Sequence, residues 1–311
     1  MTTNSRTRRW RGVAAIALVG VLALASCSDN KSDGSSATGT SSGAKDTTIR
    51  ISSQDFSEQK TLAQVYGQYL EAKGFKVQIQ DPIGTRTQIF AALKAGKVDL
   101  EPDYSGPALL ELKGTPTSDA DKTYDDLVTA LKAEKLDAGA KAEAADADAL
   151  VTLKSYADAH DLKTISDLSK IDSKLTLGGA AECAEREQCL KGYNGPKYAL
   201  GLGFKAVDYG PPLVAALKAD EIQVAQYGTT APEISQGEIV ALEDDKGLLT
   251  PANVVPVYRS AVASTELTKA LDALSKELTT KDLADWNQAT DVDKKDPIDV
   301  ATAWLQAKGL I

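Results

Sequence analysis

Histidine occurs once in these 311 residues, as His160, methionine once and cysteine three times. That scarcity removes most metal and nucleophilic chemistry. One imidazole cannot serve both a Ser-His-Asp arrangement and a zinc site, and no P-loop, GxGxxG, GxSxG or HExxH pattern is present. His160 follows a helical pattern that places it on the surface, and the acidic run Glu243-Asp-Asp245 reads as a solvated turn. Nothing argues for an enzyme, and no motif calls for a cofactor. Bases are outnumbered, 35 Lys+Arg against 44 Asp+Glu for a net charge of −9, which argues against nucleic acid, because phosphate binding needs a cationic surface. Phenylalanine and tryptophan are few, 4 and 3, against 10 tyrosines. What remains is 42% hydrophobic and 25% charged, enough for one large domain or two lobes with proper cores.

The apolar stretch at 12–25 is shorter than the roughly 20 residues a membrane span needs. Preceded by Arg6, Arg8, Arg9 and Arg11, it has signal-peptide form. It leads into Leu24-Ala25-Ser26-Cys27, which resembles a bacterial lipobox. The expectation is a lipoprotein signal peptide over 1–26, with lipid on Cys27 holding the chain to the extracytoplasmic face of the cell membrane. The alternative is a secretory signal with an incidental cysteine. Residues 27–47, rich in Ser, Gly, Asp and Thr without apolar periodicity, read as a flexible tether. Loss of the signal removes arginines and no acid, so the exported body is more acidic still.

Export also bears on Cys183 and Cys189, in Glu182-Cys-Ala-Glu-Arg-Glu-Gln-Cys-Leu190. The lack of a CxxC pair or a nearby histidine argues against zinc. An oxidising compartment favours a local disulfide over two free thiols, and such a bridge would pin its segment.

Ile49 and Ile51 mark a strand. Asp55 and Glu58 have capping-box spacing before a helical face of Leu62, Val65, Tyr66, Tyr69 and Leu70. Gly74 stops that helix, Phe75, Val77 and Ile79 alternate as a strand, and Thr85 or Thr87 caps a helix through Ile89, Phe90 and Leu93. A third strand covers 98–100. This β-α-β-α-β rhythm predicts a mostly parallel sheet covered by helices, with ligands beyond the carboxyl ends of its strands. A helical Ala/Asp/Lys-rich stretch over 119–147 precedes a second such unit, with strands at 150–153, 175–177 and 222–225. A strand at 254–258 and two helices follow, the last opened by Asp296-Pro297. The expected architecture is α/β, two lobes with a cleft between them: lobe I over 48–148 and 232–311, lobe II over 149–231.

Gln59, Thr85 and Tyr104 fall on strand-end loops. Tyr104 directly follows the strand at 98–100, Tyr193 lies in a Gly-Tyr-Asn-Gly turn, and Tyr227 follows the strand at 222–225 ahead of Thr229 and Thr230. Tyr66, Tyr69 and Tyr124 sit on helical faces and are assigned to packing. Tyrosine faces attract cations by about 0.5–2 kcal/mol each, and several around one quaternary ammonium make an aromatic cage.

Five stretches, taken in order, resemble a known family: Ser52-Ser-Gln-Asp-Phe-Ser-Glu-Gln59, Gly84-Thr-Arg-Thr87, 92–106 with its Glu101-Pro-Asp-Tyr-Ser-Gly106, Leu242-Glu-Asp-Asp-Lys246 and Val255-Pro-Val-Tyr-Arg259. The resemblance, over about 48–311, is to the osmoprotectant-binding lipoproteins of ABC importers, the glycine betaine, choline and carnitine receptors of the OpuC/ProX type. It implies a type II periplasmic-binding-protein-like fold that closes on a small-molecule solute and docks to a permease driven by ATPase subunits. It also implies a tyrosine cage. Tyr104 matches the tyrosine of the family's Tyr-Thr-Gly-Thr segment, Gln59 its Phe-Thr-Glu-Gln loop, and Tyr227 with Thr229 its Tyr-Ser-Thr-Asp stretch, with Thr230 replacing the Asp. Tyr193 matches a further cage tyrosine, with Tyr198 as a rival. Where the family often reads Asn-Thr-Tyr-Ala-Leu, this chain has Asp146-Ala-Asp148-Ala-Leu150, so Asp148 replaces a cage tyrosine. Asp148 either faces solvent and leaves a weaker cage, or enters the cleft as a counter-ion. In the cleft, at about 4 Å from a cation, it would gain roughly 4 kcal/mol at an effective dielectric of 20, before desolvation costs. That arrangement would favour a choline-like cation over a zwitterion, or a different polar solute; the alternative of another class is an exported enzyme or interaction lipoprotein that uses the two-lobe scaffold outside transport.

Overall fold

The computed structural model describes residues 47–311. The expected signal peptide over 1–26, Cys27, and the tether apart from residue 47 lie outside the described residues. Ten strands follow in chain order: β1 (Ile49–Ile51), β2 (Val77–Ile79), β3 (Leu100–Tyr104), β4 (Leu136–Ala138), β5 (Asp148–Leu153), β6 (Thr176–Gly179), β7 (Gly203–Ala206), β8 (Val224–Gly228), β9 (Ile239–Leu242) and β10 (Val254–Arg259). They form two five-stranded sheets, ordered β2-β1-β3-β10-β4 and β7-β6-β8-β5-β9. Each sheet has three parallel strands, then an antiparallel strand that is the first one after the chain crosses from the other lobe, then an edge strand.

The first sheet is buried on both faces. The helix Ser57–Ala72 turns Leu62, Val65, Tyr66 and Leu70 inward, where they meet Leu267, Leu271 and Leu274 of the helix Thr265–Ser275 and Ala301 and Leu305 of the helix Pro297–Ala307. On the other face Ile89, Phe90 and Leu93 pack with Leu127, Leu131, Val255 and Val257. Burying each such side chain contributes roughly 1.5–3 kcal/mol. Pro102 is tolerated inside β3 because it lies beyond Leu100, the last residue of β3 that pairs with β1, so its missing N–H removes no ladder bond there. Asp99, ahead of β3, accepts from Arg50 Nε at 2.6 Å and Arg259 Nη1 at 2.7 Å, riveting β1, β3 and β10 at the end remote from the crossings. Burial works against its charge, but these hydrogen bonds win and hold the Asp99 carboxyl below its ordinary range.

The crossing segments hydrogen-bond to one another. Ala145 bridges Asn253, Asp146 N donates to Ala252 O at 3.1 Å, and Thr229 Oγ1 donates to Ala145 O at 2.8 Å while accepting from Ala147 N at 3.0 Å. At the same junction Gly106 has no room for a side chain, since a Cβ there would lie 2.5 Å from the Pro251 carbonyl oxygen.

Several expectations need correction. The helix at 57 is preceded by Phe56 as cap, and Asp55 forms an ion pair with Lys60 at 2.7 Å rather than half of a capping box. Only Ala120–Ala133 of 119–147 is helical, followed by β4. β3 and β8 extend to Tyr104 and Gly228, because antiparallel pairing with β10 and β5 supplies partners for the extra residues. Tyr104 and Tyr227 therefore lie inside strands, not after them. Lobe II is also longer than 149–231. β9 pairs with β5 through Leu150–Leu242 to Leu153–Ile239, so the return crossing falls between Leu242 and Val254, and Asp148 is the first residue of the second lobe's β5.

Candidate functional site

In the second lobe the ends of β6 and β8 and the start of β5 converge on a cavity of about 410 Å³ lined by Asp146, Asp148, Glu182, Arg186, Tyr209, Gln226 and Tyr227, among others. Register places Asp148 opposite Gly228 and Ala149 opposite Tyr227, so the acid and the aromatic leave opposite faces of the sheet and both border the cavity because they sit at the ends of their strands. Asp148 is 34% exposed and accepts a hydrogen bond from Arg186 Nη2 at 2.5 Å. Arg186 itself is 42% exposed. Asp148 is thus at the cavity, already partnered by a cation. This bond uses Nη2, and a guanidinium carries five N–H donors, so a second carboxylate can be accommodated.

Tyr227 is buried, its ring stacked on Tyr209 with centroids 4.7 Å apart and planes 20° from parallel. Tyr209 is 61% exposed, so the stack offers the cavity an open aromatic face with a second ring behind it. Burial first, then the Glu233 carboxylate, raises the Tyr227 hydroxyl above its ordinary range. Tyr193 is fully buried behind the wall, where its hydroxyl donates to Gln226 Oε1 at 3.0 Å. Tyr198 braces the segment at 244–246. Its hydroxyl donates to Asp244 Oδ1 and accepts from Lys246 N at 2.9 Å.

The other sequence-singled residues collect elsewhere. Tyr104 is buried in the first lobe, and its hydroxyl donates to Glu58 Oε1 at 2.5 Å. Glu58 Oε2 accepts from Asn287 Nδ2 at 2.6 Å, and the same amide donates to Thr230 O at 3.0 Å. Thr230 Oγ1 donates to Asp146 Oδ1 at 2.9 Å, which links this buried group to the cavity floor. Gln59 is enclosed in the first lobe, with neither side-chain polar atom hydrogen-bonded among the described residues. Burial, reinforced by Asp146, pushes the Glu58 carboxyl up to about 7, and burial likewise raises Asp146. Thr229 ties the crossings together and borders a second cavity of about 460 Å³ with Asp148 and Ser118. Thr85 is exposed at the cap of Arg86–Lys94, its backbone N–H donating to Gln88 Oε1 at 2.9 Å. Cys183 and Cys189 are joined by a disulfide.

So the structure brings Asp148 and Tyr227 to one cavity, with Tyr193 behind it. It sets Tyr104, Gln59 and Thr230 in a neighbouring buried group and leaves Thr85 and Tyr198 in supporting positions. Sequence reasoning missed Arg186, Tyr209 and Asp146. Tyr209 follows β7, and the strand-end argument would have reached it had β7 been recognised. Arg186 is the one base between the two cysteines, a signal visible only once their loop is known to face the cavity. Among the described residues no cluster of His, Cys, Asp and Glu could hold a metal ion.

A family model described as the substrate binding domain of ABC-type glycine betaine transport systems matches residues 47–307. The chain is similar to the carnitine transport binding protein OpuCC of Listeria monocytogenes, 27% identical over 284 residues covering 85% of this chain and 88% of that protein. It is also similar to a glycine-betaine-binding protein of Pseudomonas aeruginosa, 24% identical over 295 residues covering 85% and 89%. In fold it resembles the crystal structure of a glycine betaine/carnitine/choline ABC transporter protein, with a TM-score of 0.78 at 22% identity over 84% of this chain and 99% of that one. Apo YehZ from Escherichia coli gives 0.75 at 21% identity over 85% and 99%.

Proposed function

The chain belongs to the family of substrate-binding domains of ABC-type glycine betaine transport systems, and from that premise we propose that it captures a small zwitterion carrying a quaternary ammonium and a carboxylate, such as glycine betaine or carnitine. It is a substrate-binding protein of transport, not an enzyme. The observation that carries the ligand reading is the pairing, on one cavity, of the open Tyr209–Tyr227 stack with the Arg186 guanidinium. The stack receives the cationic end, where each aromatic face contributes about 0.5–2 kcal/mol, more when water is excluded. Arg186 receives the carboxylate through a charge-assisted hydrogen bond worth about 1.5–3 kcal/mol. Asp148, Asp146 and Glu182 around the same space favour a positive end over an anion. Because Arg186 already partners Asp148, that acid does not act as a lone counter-ion, and the preference moves from choline towards the zwitterion.

Delivery to a permease with ATPase subunits, and a lipid on Cys27 holding the protein to the extracytoplasmic face of the cell membrane, complete the reading. Replacing Cys27 by Ala is then expected to move the protein from the membrane fraction to the soluble one, and unchanged fractionation would end the lipid proposal.

Titration calorimetry with glycine betaine, carnitine, choline and proline tests the ligand class. The zwitterionic quaternary amines are expected to bind more tightly than choline, and a preference for choline would refute the role given to Arg186. One observation favours a second reading: Asp148 stands where a carboxylate rewards an N–H donor, so an α-ammonium or imino zwitterion fits the same pair of walls. Proline binding more tightly than glycine betaine would select it.

A further inference from the structure

Arg186 has no helix or strand to hold it. It lies between the 3₁₀ turn Ala181–Glu185 and the short helix Leu190–Asn194, on an exposed segment crowded with Glu182, Glu185 and Glu187. Two things constrain this segment from within. The disulfide closes it at both ends, with Cα atoms 5.4 Å apart over a sequence separation of 6, and both cysteines are buried in the second lobe's core. Inside the closed loop Arg186 is the hydrogen-bonded centre: its N–H donates to Cys183 O at 3.3 Å, and its carbonyl accepts from Cys189 N at 3.2 Å. Cys183 lines the ligand cavity itself, and Tyr193 N, donating to Cys189 O at 2.9 Å, ties the far end to the tyrosine behind the wall.

We propose that the Cys183–Cys189 disulfide is a positioning element for ligand selectivity: it fixes Arg186 at the cavity wall, so that the oxidised protein discriminates carboxylate-bearing cations from carboxylate-free ones and the bridgeless protein does not. The proposal rests on the reading that Arg186 takes the ligand's carboxylate. The physical basis is entropic. An exposed acidic loop without regular structure has many conformations, and a guanidinium on it must be ordered each time a ligand binds, unless a cross-link has ordered it beforehand. A carboxylate ligand draws on that ordering and a carboxylate-free cation does not. The bridge therefore acts on selectivity and not on affinity in general.

The test is titration of the full exported chain with glycine betaine and with choline, for the oxidised wild type, the Cys183→Ala/Cys189→Ala double variant and Arg186→Gln. The expected result is a loss of about 10- to 100-fold in glycine betaine affinity for both variants, with choline affinity within about threefold of wild type. A merely structural role for the bridge would weaken both ligands together, and that outcome overturns the proposal. Should Arg186→Gln weaken glycine betaine while the bridgeless variant binds it as the wild type does, the positioning role falls and the carboxylate reading stands. An Arg186→Gln protein with unchanged glycine betaine affinity, or a wild type that binds neither ligand, removes the carboxylate reading and this proposal with it. If the double variant does not fold, one glycine inserted after Arg186 with the bridge intact serves instead. It should lose glycine betaine selectively, and an unchanged dissociation constant would show that Arg186 is placed by something other than the closed loop.

Discussion

Tyr104 and Tyr227 hold equivalent places in the two lobes. Each stands at the carboxyl end of the third parallel strand of its sheet, paired with the start of the antiparallel strand that follows a crossing, Tyr104 with Val254 and Tyr227 with Ala149. Both rings are buried. The difference lies in what their hydroxyls and faces meet. In the first lobe the hydroxyl is spent on Glu58, inside a closed polar group that Asn287 and Thr230 complete. In the second lobe the hydroxyl has no hydrogen-bond partner among the described residues, and the ring's value is its stacking under the exposed Tyr209 beside Arg186. One scaffold position thus serves as a structural latch in one half and as a wall of the cavity in the other.

The largest expected effect comes from breaking the wall. Tyr227→Ala removes a fully enclosed ring from the second lobe's core and should cost about 3–5 kcal/mol of stability, read from urea midpoints, together with ligand binding at any accessible concentration. Next is the latch's response to pH. Glu58 is raised from 4.5 to about 7 in the folded protein, so between these values the folded chain keeps a proton that the unfolded chain has lost. The stabilisation is therefore fully present below about pH 4.5 and disappears as pH rises through about 7, a change on the order of 3 kcal/mol. Glu58→Gln should flatten the stability profile over that window relative to wild type. Glu101 and Asp103 are also raised by burial and slope the same way in both proteins, whereas Asp146 acts on Glu58, so the difference between the two profiles reports Glu58 together with its interaction with Asp146. Parallel profiles would show that Glu58 is charged in the fold.

A smaller pair of substitutions sets the two tyrosines directly against each other. Tyr104→Phe leaves Glu58 short of a donor and should cost about 1–3 kcal/mol, whereas Tyr227→Phe deletes a buried hydroxyl that lacks a partner and should be neutral or slightly stabilising. Equal costs would dissolve the comparison.

How far these features could be read in advance depended on their range. The helix facing Leu62 to Leu70 and the β-α-β-α-β order are local, set by periodicity and by Gly74, and are legible. β4 and β7 were not, because three or four residues with partial exposure carry no periodicity. The stretch that forms β9 carries no strand signal and falls within the 232–311 range expected of lobe I, since only its pairing with β5 reveals where it belongs. Tyr227 is visible as a residue following a strand, and Asp148 only through the family resemblance at the lobe crossing. The partners that give them meaning were hidden by distance along the chain: Arg186 lies 38 positions from Asp148, and Asn287 lies 229 from Glu58. Burial of Tyr104 was hidden for the same reason, because the acid that takes its hydroxyl sits on a helix 46 positions earlier.

The smallest expected effect on stability is also the sharpest test of which half holds the ligand. At Gly228 an added Cβ would lie 3.1 Å from Tyr209 Oη and 3.6 Å from Asp146 Oδ1. Tyr209 is exposed and can yield by swinging outward, so Gly228→Ala should change stability, read from the urea midpoint, by no more than about 0.5 kcal/mol. The swing moves the outer ring of the stack and narrows the space beside Asp146, so affinity for the zwitterion should fall severalfold while the fold stays intact. Binding that is indifferent to this methyl group would place the ligand away from the Tyr209–Tyr227 wall and return the site to the first lobe, where Tyr104 and Gln59 would need to open from their buried positions to reach it.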